Sequence, residues 1–183
     1  MREWVPVSSS AKGRLALAAV GAFGARPFEA VTVGELAAAA GVTTGALYHH
    51  FGSKAGLYAF VREDVERRLL DRMEGAVAAT APPGDRSAAV TAALRAGFDF
   101  AVREGFPRLL GAPPPEASPS GPDRLAHLLG ALTAPVSPVL GRVLAASWRA
   151  AVLAVADGAD PPAARDALTA LRPRIPAWPL AEG

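Results

Sequence analysis

The stretch "TVGELAAAAGVTTGALYHHFGSK", residues 32–54, constrains the fold more than any other part of the chain. Thr32 stands three residues before Glu35. At that spacing a hydroxyl and a carboxylate satisfy each other's free amides at a helix start. Gly41 follows where a chain leaving a short helix adopts a left-handed turn. Thr43 then offers a cap for a second short helix over residues 44–50, and Ser53 a cap for a long helix over 54–79. Leu57, Val61, Val65, Leu69 and Met73 recur every four residues along the long segment, which gives it one apolar face. Two short helices separated by a glycine turn and followed by a long helix form a helix-turn-helix outline.

The flanking sequence extends the helical pattern. Ser10 caps a predicted helix over 11–25, with Leu15, Ala19, Ala22 and Phe23 on one face, and Pro27 stops it. "TAPPGD", residues 80–85, marks the clearest boundary. Beyond it the pattern predicts helices over 86–104, within "FPRLL", and over 123–132, 137–156 and 162–171. A Pro-rich segment at 112–122 and a proline-rich tail lie outside them. The expected fold is all-α. It has an arm at 1–10, a helix-turn-helix domain at 11–52, a connecting helix at 53–79 and a second helical domain at 80–183. Abundant alanine supports this reading, because it favours helix.

Charge and composition narrow the function. The chain has 183 residues, 51% of them hydrophobic, and so can bury a real core. It has no cysteine, which excludes disulfides, thiolate metal sites and cysteine nucleophiles. The net charge is +2, and the first 60 residues account for it, with five basic against three acidic side chains. That permits a nucleic-acid partner without demanding one. The apolar run after Lys12 and Arg14 resembles the start of a signal peptide but begins late, and an amphipathic helix explains it equally well. The run at 143–156 is broken by Arg149, and no run approaches the roughly 18 to 20 apolar residues of a membrane span. The expectation is therefore a cytoplasmic protein with no membrane partner.

On a helix over 43–51, Leu47 and Phe51 share the core face. Thr44, Gly45, Tyr48 and His49 then point outward together, with His50 at the flank. Hydroxyl, phenol and imidazole groups hydrogen-bond phosphates and base edges, and small residues allow close approach. The alternatives are weaker. His49 and His50 are neighbours, about 100° apart on a helix, so they do not converge on one metal ion, and no third ligand lies nearby. Acid–base catalysis needs a partner group that the sequence does not display. Solvated surface groups remain the plain alternative. No cofactor, metal or catalytic set is expected.

The ordered set "TVGELA", "AGVT", "GALYHHF" and "SKAGL", within residues 32–57, resembles the DNA-binding signature of the TetR family of transcriptional regulators. The resemblance covers about 50 residues. It implies that Thr32 and Thr43 offer hydroxyls or amides to phosphates, and that Thr44 and Gly45 face base edges. It places Tyr48 and His50 against the backbone or neighbouring bases, leaves His49 as a variable, selective position, and pairs Lys54 with a phosphate. It further implies a homodimer formed by the helices at 137–156 and 162–171, a palindromic double-stranded DNA operator and a small-molecule effector that releases a repressor. Candidate effector-lining residues are Phe98, Val102, Arg103, Phe106, His127 and Trp148. The other readings are a regulator governed by a protein partner, or an all-α enzyme or ligand carrier with a vestigial helix-turn-helix. The short, Pro-rich second half departs from the family pattern and leaves open whether it encloses a pocket.

Overall fold

The computed structural model describes residues 10–80, 82, 84–116, 121–134 and 138–171. Residues 1–9 of the expected arm, 117–120 of the Pro-rich segment, Ser137 and the tail from 172 lie outside the described residues. Among the described residues the chain is all-helical, with no strand. The helices are α1 (Ala11–Ala25), α2 (Val33–Ala39), α3 (Thr44–Phe51), α4 (Lys54–Thr80), α5 (Arg86–Arg103), α6 (Pro107–Gly111), α7 (Arg124–Thr133), α8 (Pro138–Ala156) and α9 (Pro161–Ala170).

Local chemistry sets these boundaries. Ser10 Oγ accepts from Gly13 N–H at the start of α1, and Thr32 and Glu35 form the reciprocal capping box on α2. Gly41 and Gly52 take φ values of 61° and 72° and turn the chain sharply on either side of α3. Asp85, Asp123 and Asp160 cap α5, α7 and α9 with their carboxylates. Sequence reading placed the starts of those helices within a residue or so but did not identify the caps.

A 3₁₀ turn at Phe28–Ala30 was not expected, because "RPFEA" reads as a helix break. Its cause is tertiary. Phe28 packs against Phe23, with ring centroids 5.7 Å apart, and against Tyr58 at 5.3 Å. That aromatic plug draws the loop onto α1 and α4.

Leu15, Phe23, Leu36 and Leu47 fill the centre of the N-terminal domain, which Leu57 and Val61 of α4 close. The second half buries Phe98, Leu125, Leu129, Trp148 and Val152 among α5, α7 and α8. Helix α4 packs on α1 and α3 and then on α5, while α6 lies against both α1 and α8. Glycines permit the closest approaches. A Cβ at Gly141 would stand 2.5 Å from Ala126 O and from Gly130 N, so α7 and α8 touch backbone to backbone. A Cβ at Gly24 would stand 2.6 Å from Gly105 O, where α1 meets the turn into α6.

Helix α8 corrects one expectation. Its 18-residue window Val139–Ala156, at mean hydropathy 1.5, is long and apolar enough by composition to cross a bilayer. Its two arginines do not lower the average enough to disqualify it. Only 28% of that window is buried. One face packs inward through Gly141, Leu144, Ala145, Trp148 and Val152, and the opposite face is left open.

Candidate nucleic-acid interface

Helix α3 is short, so its orientation depends on a few contacts. Thr43 Oγ1 accepts from Ala46 N–H at 3.3 Å and fixes its start. Leu47 is fully buried, a burial worth about 2 kcal/mol. Phe51 is half-buried and lies against Phe60, with centroids 5.3 Å apart. These anchors turn Thr44, Gly45, Tyr48, His49 and His50 to solvent. Tyr48 is 54% exposed, which is high for a ring of its size. A Cβ placed on Gly45 would meet only Thr43 Oγ1, at 3.6 Å, so the surface there is low and open. The His49 and His50 rings are neighbours, with centroids 5.0 Å apart. Among the described residues no three His, Asp or Glu side chains gather as metal ligands.

Two of the expected phosphate-facing groups are occupied within the domain. The Thr32 hydroxyl accepts from Glu35 N–H at 3.2 Å and donates to Glu35 Oε2 at 2.9 Å. The Glu35 carboxylate also accepts from Thr32 N–H at 2.8 Å and from Arg26 at 3.0 Å. The Thr32 amide first, then Arg26, hold that carboxyl down to about 2. Lys54 Nζ donates to Phe28 O at 2.9 Å and Val31 O at 2.8 Å, and lies 4.0 Å from the centroid of the Phe28 ring. In this arrangement Lys54 ties the turn before α2 to the start of α4. The available signal was its position: a cation at a helix N-terminus opposes the helix dipole and calls for a compensating partner.

The six residues considered for an effector divide. Phe98, Phe106 and Trp148 belong to the buried core, and Val102 is half-buried. Arg103 and His127 are exposed, and Arg103 pairs with its neighbour Glu104 at 3.5 Å. Trp148 has no accessible surface, yet its indole N–H has no hydrogen-bond acceptor among the described residues. Such an orphan donor is unusual in a packed interior.

Sequence reasoning missed the ties between helices, since their partners are far apart in the chain. Arg62 of α4 donates to Leu109 O and Ala112 O, both at 2.8 Å, and to the Tyr58 hydroxyl at 2.9 Å. It thereby caps the end of α6. Arg149 of α8 forms a two-pronged pair with Asp123 at 2.7 and 2.8 Å, which lowers the Asp123 carboxyl. Burial pushes the neighbouring Glu66 carboxyl up, against the pull of Arg62 and Arg149.

A capped two-helix unit with an outward polar face defines the class: a helix-turn-helix domain. Residues 16–61 match the family model for bacterial regulatory proteins of the tetR family. The chain thus carries the DNA-binding domain of TetR-family transcriptional regulators. Its fold is similar to that of a TetR-family regulator from Pectobacterium atrosepticum (23% identity, TM-score 0.65, 93% of each chain covered). It is also similar to a TetR-like regulator from Rhodococcus sp. RHA1 (22% identity, TM-score 0.63, 88% of this chain and 93% of that one). A third similar structure concerns the control of antibiotic production by bacterial hormones (26% identity, TM-score 0.56, 88% of this chain and 94% of that one). No curated protein sequence matches the chain significantly.

Proposed function

We propose that the protein is a homodimeric repressor that binds a palindromic operator through α3 and is released by a small molecule. The observation that carries this reading is the outward face of α3, where Thr44, Gly45, Tyr48 and His49 stand exposed over a buried Leu47. Such a helix fits the major groove, and two related by a dimer axis would read half-sites roughly 34–36 Å apart. In this reading residues 11–52 form the reading head, 53–79 the connecting helix and 80–183 the regulatory and dimerisation half. Thr43 and His50 flank the face, and Thr32 and Lys54 hold it in place from behind.

The dimer reading is supported by α8 and α9. Val139, Val143, Ala146 and Ala150 are exposed at steps of four, three and four residues, a helical stripe suited to a partner helix. Ala163, Ala167 and Leu171 continue an exposed small-residue face on and just after α9. For an effector, the pointer is the indole N–H of Trp148, which has no acceptor among the described residues and would be satisfied by a ligand oxygen or nitrogen if the core around it opened. Regulation by a bacterial hormone, as described for one similar structure, is a precedent in kind. The full chain tests the reading in a randomised-site selection. A palindromic site should emerge, and Tyr48→Ala should weaken its binding by tenfold or more with helix content unchanged. Failure to enrich any sequence sinks the proposal.

A further inference from the structure

The reading head holds few fixed cations for direct contact with DNA. Within residues 10–61 the cationic side chains are Lys12, Arg14, Arg26 and Lys54. Arg26 is neutralised by Glu35 at 3.0 Å. Lys54 is held by two backbone carbonyls, and Arg14 Nε donates to Ala40 O at 2.9 Å. Lys12 lies over the Phe60 and Phe51 rings, 4.8 and 5.9 Å from their centroids. On α3 itself the only side chains that can become cationic are His49 and His50, both exposed and both in its last turn. A positive charge is favoured there by the helix dipole. Imidazole is also the side chain that changes charge between pH 5 and 8.

Resting on the DNA-binding reading above, we infer that His49 and His50 act as a proton-coupled phosphate contact, so that the protein takes up protons when it binds duplex DNA. A phosphate diester beside an imidazole favours the cationic ring and provides an acceptor for its N–H groups. The charged groups on the elements around α3 are Lys12 and Arg14 on α1, Arg26 and Glu29 between α1 and α2, Glu35 on α2 and, on α4, Lys54 at its start and a mixed series from its third turn on that begins with Arg62, Glu63 and Asp64. Tyr48 is the remaining titratable group on α3. Of the acids among them, Glu35 is held by Arg26 and Thr32, and Asp64 by Arg67 and Arg68. Among the described residues no carboxylate pairs with either imidazole, and their charge responds to DNA. The sign follows. DNA raises the protonation of the pair, so affinity is greatest at low pH and falls as pH rises through the imidazole range.

The test is fluorescence-anisotropy titration of the full chain against a labelled duplex recovered from the site selection, at pH 6.0, 7.0 and 8.0 and several salt concentrations. Affinity should fall about tenfold or more from pH 6.0 to 8.0. The slope of log affinity against log salt should be steeper at pH 6.0 by about 0.9 for each proton taken up. The His49→Gln/His50→Gln variant should bind with little pH dependence, while His127→Gln on α7 should retain the wild-type profile. Wild-type binding that is flat in pH, or a double variant that keeps the full dependence, overturns the inference and leaves the DNA-binding reading standing. No binding at any pH overturns both.

Discussion

Helices α3 and α8 each bury one face and leave the other in water, but what they leave out differs. Helix α3 exposes hydroxyl, phenol and imidazole groups over a single buried leucine. Helix α8 exposes valine and alanine over a seam that includes a fully buried tryptophan. A polar face on so short a helix suits a hydrated, charged partner such as DNA. An apolar face on a 19-residue helix is costly in water and suits another protein surface. The molecule thus separates two faces of opposite chemistry, with α4 and α6 between them.

The contrast can be broken most forcefully at α8. Val143→Glu with Ala150→Glu would place carboxylates on the proposed dimer seam. Sedimentation should show dimerisation weakened by about 100-fold or more, since an unpaired charge in an interface costs several kcal/mol. Unchanged sedimentation would mean that α8 faces something else. Next is the inner side of the same helix. Gly141→Ala forces a methyl against the backbone of α7, and urea unfolding should show a loss of about 3 kcal/mol.

At the α3 end, Lys54→Met should cost about 2 kcal/mol, because it strips Phe28 O and Val31 O of a charged donor. If its main effect is instead a shallower salt slope of DNA binding with stability intact, Lys54 touches phosphate and the tie is secondary. The smallest effect lies at acid pH. The Glu35 carboxyl is lowered to about 2, so its contribution is present above the ordinary carboxylate range and fades as pH falls from about 4.5 toward 2. Thermal melts of Glu35→Gln should be less stable than wild type at pH 6 and converge with it near pH 2.

Much of the N-terminal domain was legible because its signals are local. Caps lie three residues from the amides they serve, and Gly41 and Gly52 sit where the chain must turn. The outward set on α3 followed from Leu47 and Phe51, four residues apart on one face. The rest depends on long-range partners. The 3₁₀ turn at Phe28 exists because Phe23 and Tyr58 receive its ring. The role of Lys54 is set by carbonyls 23 and 26 residues away. Arg62 finds the end of α6 across separations of 47 and 50. In the second half, apolar spacing gave the helices but not their facing. Of the candidate effector-lining residues, Phe98 and Phe106 went into the core, and Arg103 and His127 stayed at the surface.

The tie made by Lys54 has a practical side. The chain has only two lysines, and in the folded protein one ammonium is held against two carbonyls and a ring while Lys12 remains exposed. Of the two lysines, amine-directed reagents should therefore find Lys12 first. A dye attached at Lys12 would sit beside the α1–α3 contact and report directly on events at the reading head.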